Sequence, residues 1–147
     1  MGQAREVMDR MTQAALREDE DAVAACYAED AVLVTPDQGE VRGRRAIAEY
    51  LRSLAGPLSD ADYEYLAKHE AGDVAIDEGY ITGTHTGPLP LPGGETAEPT
   101  GRSVRVRECD VATVEGGVIT THRMYFDQLE MLGQLGLLPQ AGGGAGG

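Results

Sequence analysis

Two carboxylates and one histidine interrupt an apolar hairpin pattern in the last third of the chain. Glu108, Asp110 and His122 stand in segments where valines alternate with polar residues, as in strands with one buried face. A buried charge is costly unless it is paired or used in a reaction. A carboxylate beside an imidazole can fix the tautomer of the ring and raise its basicity, as in groups that transfer protons. Asp110 and His122 are therefore candidate acid/base residues with Glu108 beside them, although a polar pair that only holds the hairpin fits the same pattern.

The pairing of the two strands depends on the length of the turn between them. A three-residue turn at 115–117 would place Asp110 opposite His122 and Glu108 opposite Met124. Opposed residues share a face because side chains alternate along each strand. We prefer this register because it collects the apolar residues of the hairpin on one face: Val104, Val106, Val114, Val118 and Phe126.

A two-residue turn at Gly116–Gly117 is the alternative, and it is the commoner kind of hairpin loop. It would place Asp110 opposite Arg123 and Glu108 opposite Tyr125. Asp110 and Arg123 would then form an ordinary surface ion pair rather than part of a buried site.

Helical spacing of apolar residues predicts three helices before the long strands. The first covers residues 3–17 and the third residues 44–54. Between them, Asp19 or Asp21 can cap a shorter helix that carries Tyr27 and ends near residue 28.

The remaining elements complete an α+β domain over residues 1–139. A short apolar strand covers 31–36, two longer strands flank a turn at 72–73, and a last helix covers roughly 128–136. Residues 88–100 contain four prolines and two glycines, which indicates a loop without regular structure that covers a site or is disordered. The glycine-rich tail 140–147 has nothing to pack and is predicted to be disordered. Helices on one face of a curved antiparallel sheet would form a cone whose mouth is the natural ligand site.

Composition excludes several classes of function. A net charge of −13 over 147 residues argues against nucleic acid or an anionic membrane surface as a partner, since both need a basic footprint. No apolar signal region or membrane-length segment is present, which predicts a cytoplasmic protein. Cys26 and Cys109 have no metal-site or redox spacing and are interpreted as small buried hydrophobes. No cluster of metal ligands is predicted.

Four stretches resemble the SnoaL-like polyketide cyclases of the NTF2-like superfamily: AxYAEDAVLVTPDQGEVRGRRAIAEYL, ITGTHTGP, PTGRSVRV and YFDQLxMLxQLGLLP. The resemblance covers roughly residues 5–139. It implies an NTF2-like cone with a pocket between sheet and helices, a homodimer, a small hydrophobic carbonyl substrate, and no metal or organic cofactor. In that family an aspartate just before the C-terminal helix is the general acid/base, and the matching residue is Asp127. The implied reaction is intramolecular aldol ring closure.

Asp127 also has a structural interpretation, because Glu130 follows three residues later as in a helix N-cap with a reciprocal acid. The same pocket could instead support isomerisation, hydration or oxygenation, or bind a hydrophobic ligand without turnover. Further pocket candidates are histidine, tyrosine and neighbouring side chains that could contact a carbonyl compound: His85, Tyr27, Thr35, Met124 and Tyr125.

Overall fold

The computed structural model describes residues 2–91 and 93–138. Its helices are α1 (Gln3–Leu16), α2 (Glu20–Ala25), α3 (Arg44–Ala55) and α4 (Gln128–Leu135). Its strands are β1 (Tyr27–Thr35), β2 (Gly39–Arg42), β3 (Leu58–Ala71), β4 (Val74–His85), β5 (Leu89–Pro90), β6 (Thr96–Ala97), β7 (Ser103–Glu115) and β8 (Val118–Phe126). The predicted α+β class is confirmed. The predicted tail 140–147 and the domain end at residue 139 lie outside the described residues.

Six strands form one curved sheet in the order β2-β1-β8-β7-β4-β3, and β5 pairs with β6 separately. β1 runs parallel to β8, whereas the other neighbouring pairs of the large sheet are antiparallel. The two longest antiparallel pairings join β4 to β3 and to β7. This arrangement places β7 and β8, which carry the candidate acid/base residues, in the middle of the sheet.

Helices α1 and α3 cover the inner face of the sheet because each has an apolar stripe at helical spacing. Val7, Met8 and Met11 form the stripe of α1, and Ile47 and Leu51 that of α3. These side chains are buried against β1, β7 and β8 in the main core. Burying each large apolar side chain contributes about 1.5–3 kcal/mol. Among the helices of the described residues, none is long and apolar enough to cross a membrane.

Tyr27 lies at the start of β1, so its predicted place on the second helix is wrong. α2 ends at Ala25, and the Ile119 N–H donates a hydrogen bond of 2.8 Å to the Cys26 carbonyl. Tyr27 then pairs with Ile119 of β8. The parallel pairing with a distant strand decides the boundary, because local helix spacing contains no information about β8.

The turn of the β7–β8 hairpin contains two residues, so the preferred three-residue turn is wrong and the alternative is correct in its turn length. The pairs that the alternative implied, Asp110–Arg123 and Glu108–Tyr125, are also wrong, because Arg123 pairs with Val111 and Tyr125 with Cys109. Glu115 pairs with Val118. Gly116 and Gly117 both have positive φ, at 61° and 84°. A type I′ turn needs this conformation at both central residues, and glycine adopts it without steric strain.

A β-bulge one pair further along changes the register of the rest of the hairpin. Val114 pairs with Ile119 whereas Thr113 pairs with Thr121, so Thr120 is the extra residue on β8. One extra residue reverses the face of every later side chain on that strand. Beyond the bulge the pairs include Ala112–His122, Asp110–Met124 and Glu108–Phe126.

The predicted pairs Asp110–His122 and Glu108–Met124 are therefore wrong by two residues, but their predicted shared face is correct. The two-residue turn alone would have separated the carboxylates from His122. The bulge restores the shared face, and no local sequence signal identifies its position.

The proline-rich segment 88–100 contains the short β5–β6 hairpin, so the prediction that it has no regular structure is wrong. The Leu91 N–H donates to the Glu95 carbonyl at 2.7 Å within this hairpin. Leu89 and Ala97 are buried in a second small core. The other buried members of that core are Val104, Val106 and Leu135.

Candidate active site

A cavity of about 120 Å³ lies between the helices and the inner face of the sheet. Most of its lining is apolar, and Glu108, Asp110 and His122 are its ionisable carboxyl and imidazole groups among the described residues. Met124 also lines it, as predicted for the hairpin face. The apolar lining includes Met11, Leu51, Leu54, Val104, Phe126 and Met131.

His122 and Asp110 form a direct buried hydrogen bond. His122 Nε2 lies 2.7 Å from Asp110 Oδ1, and the His122 side chain is fully buried. His122 pairs with Ala112 across the hairpin, so it reaches Asp110 diagonally. Diagonal neighbours on one face of an antiparallel pair lie within reach of long side chains. The small Ala112 leaves the space that this contact needs.

Tyr27 contacts His122 from the other side of the ring. The Tyr27 hydroxyl lies 2.8 Å from His122 Nδ1, and both side chains are completely buried. Burial, followed by the nearby Asp110 charge, raises the pKa of Tyr27 well above its usual value. The hydroxyl therefore keeps its proton and can donate a hydrogen bond to Nδ1. In that arrangement the imidazole carries its proton on Nε2 and donates to Asp110.

Glu108 is the protonated member of the carboxyl pair. Burial raises the pKa of Glu108 well above its usual range, and the charge of Asp110 and a side-chain hydrogen bond with Asp110 raise it further. Two carboxylates this close do not both ionise readily. The protonated form of Glu108 is therefore favoured beside Asp110. Hydrogen bonds join Asp110, His122 and Tyr27 in one chain, and Glu108 lies at its Asp110 end.

Arg5 and Asp77 form a second buried charged group that the sequence interpretation missed. Arg5 Nη2 lies 2.6 Å from Asp77 Oδ1, and both side chains are almost fully buried. Asp77 on β4 is the direct partner of Asp110 on β7. The sequence did contain a signal for Asp77. It lies two residues from both Ala75 and Gly79, so strand alternation places it on the same buried face of β4 as these small residues.

Tyr63 is a further missed cavity residue, and its position depends on Gly79. The Tyr63 hydroxyl donates to the Glu108 carbonyl at 3.0 Å and the ring lines the cavity. A Cβ added to Gly79 would lie 2.8 Å from Tyr63 Cε1 and would overlap the Glu64 carbonyl oxygen. Such close contacts are not tolerated, so glycine is required where β3 and β4 approach each other.

Asp127 does not line the cavity. It is exposed and lies in a groove on the outer side of the sheet with Tyr125 and Leu129. Its carboxylate is the N-cap of α4 and accepts a hydrogen bond of 2.9 Å from the Glu130 N–H. Glu108 borders both this groove and the cavity, whereas Asp110 and His122 line only the cavity. Asp127 is therefore separated from the His122–Asp110 pair, and its geometry matches the helix-cap interpretation.

Replacing Asp127 separates its two predicted roles. Asp127→Ala is expected to reduce the free energy of unfolding by about 1 kcal/mol, because α4 loses its cap. Asp127→Asn should stay close to wild type, since asparagine caps equally well. Chemical denaturation measures both variants. A large loss of catalytic activity in Asp127→Asn, with stability unchanged, would instead support the acid/base role.

The other predicted pocket residues lie outside the cavity lining. Thr35 is buried at the end of β1, where its Oγ1 donates to Asp37 and accepts from the Gln38 N–H. Tyr125 is 55% exposed in the outer groove. Tyr27 lies behind His122 and reaches the cavity only through that ring.

His85 is fully buried and holds the segment that follows the β5–β6 hairpin. Its Nδ1 accepts a hydrogen bond of 3.1 Å from the Thr100 N–H and lies 3.0 Å from Thr100 Oγ1. Its position therefore fits a structural role in anchoring residues 86–102. No group of three His, Cys, Asp or Glu side chains within residues 2–91 and 93–138 is placed to bind a metal ion.

Solved structures share this fold at low sequence identity. A proposed SnoaL-like polyketide cyclase from Jannaschia sp. CCS1 is 17% identical, with a TM-score of 0.79 over 93% of this chain and 94% of its own. AclR, a proposed hydroxylase from Streptomyces galilaeus, is 20% identical, with a TM-score of 0.75 over 93% and 87%. An LEH-like epoxide hydrolase from M. tuberculosis is 23% identical, with a TM-score of 0.67 over 90% and 89%. No curated protein sequence matches the chain.

The different activities attached to these structures show that the fold is shared while the reaction varies. The family model of the SnoaL-like domain matches residues 8–122. That span begins in α1, contains the whole sheet as far as His122, and includes Glu108 and Asp110. The predicted resemblance and the NTF2-like fold are thus confirmed, and the chain belongs to the family of SnoaL-like domains.

Proposed function

We propose that this protein is a cofactor-independent acid/base enzyme that enolises a neutral carbonyl compound and directs the enol into intramolecular aldol ring closure. The observation that carries the proposal is that Glu108, whose pKa is raised well above its usual range by burial, shares an apolar cavity with Asp110 and His122. Two carboxyl groups with different protonation states are a common basis for one acid and one base at the same pH.

The proton transfers follow from the hydrogen bonds. A bound carbonyl oxygen takes the hydrogen bond of Glu108, which releases one side of the Asp110 carboxylate. Asp110 then removes a proton from the carbon beside the carbonyl, while Glu108 protonates the oxygen to give the enol. The negative charge passes from Asp110 to Glu108, so the net charge of the cavity is unchanged. The Nε2–H of His122 keeps Asp110 in place throughout.

Ring closure restores both carboxyl groups. The enol carbon attacks a second carbonyl of the same molecule, and the new alkoxide oxygen takes the proton from Asp110. The enol O–H returns its proton to Glu108. A linear dicarbonyl compound becomes a cyclic hydroxyketone, with no change in composition.

The charge of the site indicates a neutral substrate. None of the cavity-lining residues in the described part of the chain is lysine or arginine, and the sequence carries a net charge of −13. An anionic substrate would approach an acidic protein and meet a carboxylate in an apolar cavity without a counter-charge.

Isomerisation is the second candidate, and the volume of the cavity favours it. About 120 Å³ is small beside the usual 300–1,000 Å³ of ligand pockets. A single small ring fits such a space better than an extended polyketide. Enolisation is also the first step of moving a double bond within such a ring, with reprotonation at a different carbon.

Deuterium exchange in heavy water tests the shared first step. The protein should speed incorporation of deuterium beside the carbonyl of cyclohexanone, followed by NMR, and it should act far less on a cyclohexanone that carries a carboxylate. A linear seven-carbon diketone with two methyl ketone ends then distinguishes ring closure from exchange alone. Binding of these ketones without exchange above background would refute the enzyme and favour a ligand-binding domain.

A further inference from the structure

We propose that the buried Arg5–Asp77 ion pair is a positioning pair that sets how many protons the Glu108–Asp110 carboxyl pair holds. This inference rests on the proposed acid/base role of that carboxyl pair. Neither Arg5 nor Asp77 lines the cavity, so both would act through Asp110 rather than on the substrate.

The sheet register brings Asp77 to Asp110. The two residues are direct partners on β4 and β7, and both side chains are buried. Side chains of directly opposed residues have Cβ atoms about 4.5–5.5 Å apart. The charge of Asp77 therefore acts on Asp110 over a short distance in an environment with little water. Each extra negative charge there favours a proton on one of the neighbouring carboxyl groups.

Arg5 favours the ionised form of Asp77, and its own position is fixed by further hydrogen bonds. Besides its ion pair with Asp77, its guanidinium donates to Asp9 Oδ1 at 2.9 and 3.1 Å. It also donates to the carbonyl oxygens of His69 at 3.2 Å and Ile76 at 3.4 Å. Its position is thus defined by α1, β3 and β4 together. A buried carboxylate with such a fixed partner can stay charged where an isolated one would take up a proton.

Within the described residues, the charged or titratable side chains packed around Asp110 form one array. Glu108 lies on the same strand, and the groups on the packed elements are Arg5 of α1, Tyr27 of β1, Tyr63 of β3, Asp77 of β4 and His122 of β8. Of the three carboxyl groups in this array, Glu108 and Asp110 line the cavity and Asp77 does not. The charge of Asp77 also contributes to the raised pKa of Glu108. Asp77 thus helps Glu108 to remain the acid of the pair.

The test is Asp77→Asn in the full-length protein, with the Glu108 side-chain carbon followed by NMR in protein labelled at glutamate. The signal is assigned with Glu108→Gln. Removing a neighbouring negative charge should move the midpoint of Glu108 to lower pH by about one unit or more. The high-pH limit of the exchange reaction should move in the same direction. Asp9→Asn is the matched control, since Asp9 also contacts Arg5 but lies at a half-exposed position, and it should leave the Glu108 midpoint unchanged.

Arg5→Met with Asp77→Asn covers the case in which Asp77→Asn alone fails to fold. The double variant leaves no lone buried charge, and its Glu108 midpoint should also fall, by a smaller amount. A folded variant lacking Asp77 whose Glu108 midpoint equals that of wild type overturns the inference. If the midpoint moves but neither wild type nor any variant catalyses exchange, the charge coupling stands and the proposed enzymatic function fails.

Discussion

Asp110→Asn should lower kcat/KM for ketone enolisation by about 10²- to 10⁴-fold, the usual contribution of a general base. Asparagine keeps the shape of the side chain, and its one retained oxygen can still accept from the Nε2–H of His122, as Asp110 Oδ1 does at 2.7 Å. It cannot take a proton from carbon. The measurement is the initial rate of deuterium exchange at several ketone concentrations, which separates kcat from KM.

Asp127→Asn is the matched control, because it makes the same chemical change outside the cavity. Its exchange rate should remain within a few-fold of wild type. If the Asp127 variant loses activity and the Asp110 variant retains it, the assignment of the base to the cavity carboxylate is wrong. Circular dichroism of both proteins would establish that neither result comes from unfolding.

Arg5→Met should destabilise the protein by about 3–5 kcal/mol, since breaking a buried ion pair leaves its partner charge uncompensated. The partner is Asp77, which lies 2.6 Å from the guanidinium. Equilibrium denaturation followed by fluorescence or circular dichroism measures the loss. Arg5→Met combined with Asp77→Asn should recover part of it, because no isolated charge then remains buried.

The loss in Arg5→Met should depend on pH with a definite sign. Burial raises the pKa of Asp77 in the native protein, and the charge and hydrogen bond of Arg5 oppose this rise. Without Arg5 the folded-state pKa rises further above that of the unfolded chain. A raised folded-state pKa disfavours folding above that pKa and ceases to do so as Asp77 takes up its proton. The variant should thus be weakest at neutral and alkaline pH and recover as the pH falls; a deficit that grows on acidification would contradict this.

The candidate site shows which kinds of inference a single sequence supports. Glu108, Asp110 and His122 could be grouped in advance because strand alternation is a local property, and three polar residues on a valine-rich face are visible without a fold. Their individual pairings could not be predicted. The two-residue turn and the bulge at Thr120 each shift the pairing by one residue in the same direction. The total shift of two residues leaves His122 on the same face as Glu108 and Asp110 but gives each of these residues a different partner.

The contacts of Tyr27 and Arg5 could not be predicted from local sequence patterns, for a different reason. Tyr27 reaches His122 only because β1 lies parallel to β8, and Arg5 reaches Asp77 only because α1 crosses β3 and β4. These contacts join residues far apart in the chain, and neither helical spacing nor strand alternation contains that information. The resemblance to a family directed attention to Asp127, whose exposed side chain is the cap of α4.

The sequence by itself determined the α+β class, the family, the acidic character of the protein and the presence of acids and an imidazole on one buried strand face. Those properties follow from composition, period and motif, which are local. The tertiary structure decided which of the groups share a cavity, which side chains form hydrogen bonds with His122, and that the pKa of Glu108 is raised by burial. Protonation and hydrogen bonding depend on burial and on neighbours brought together from α1, β1, β4 and β8, so they are defined only once the chain has folded.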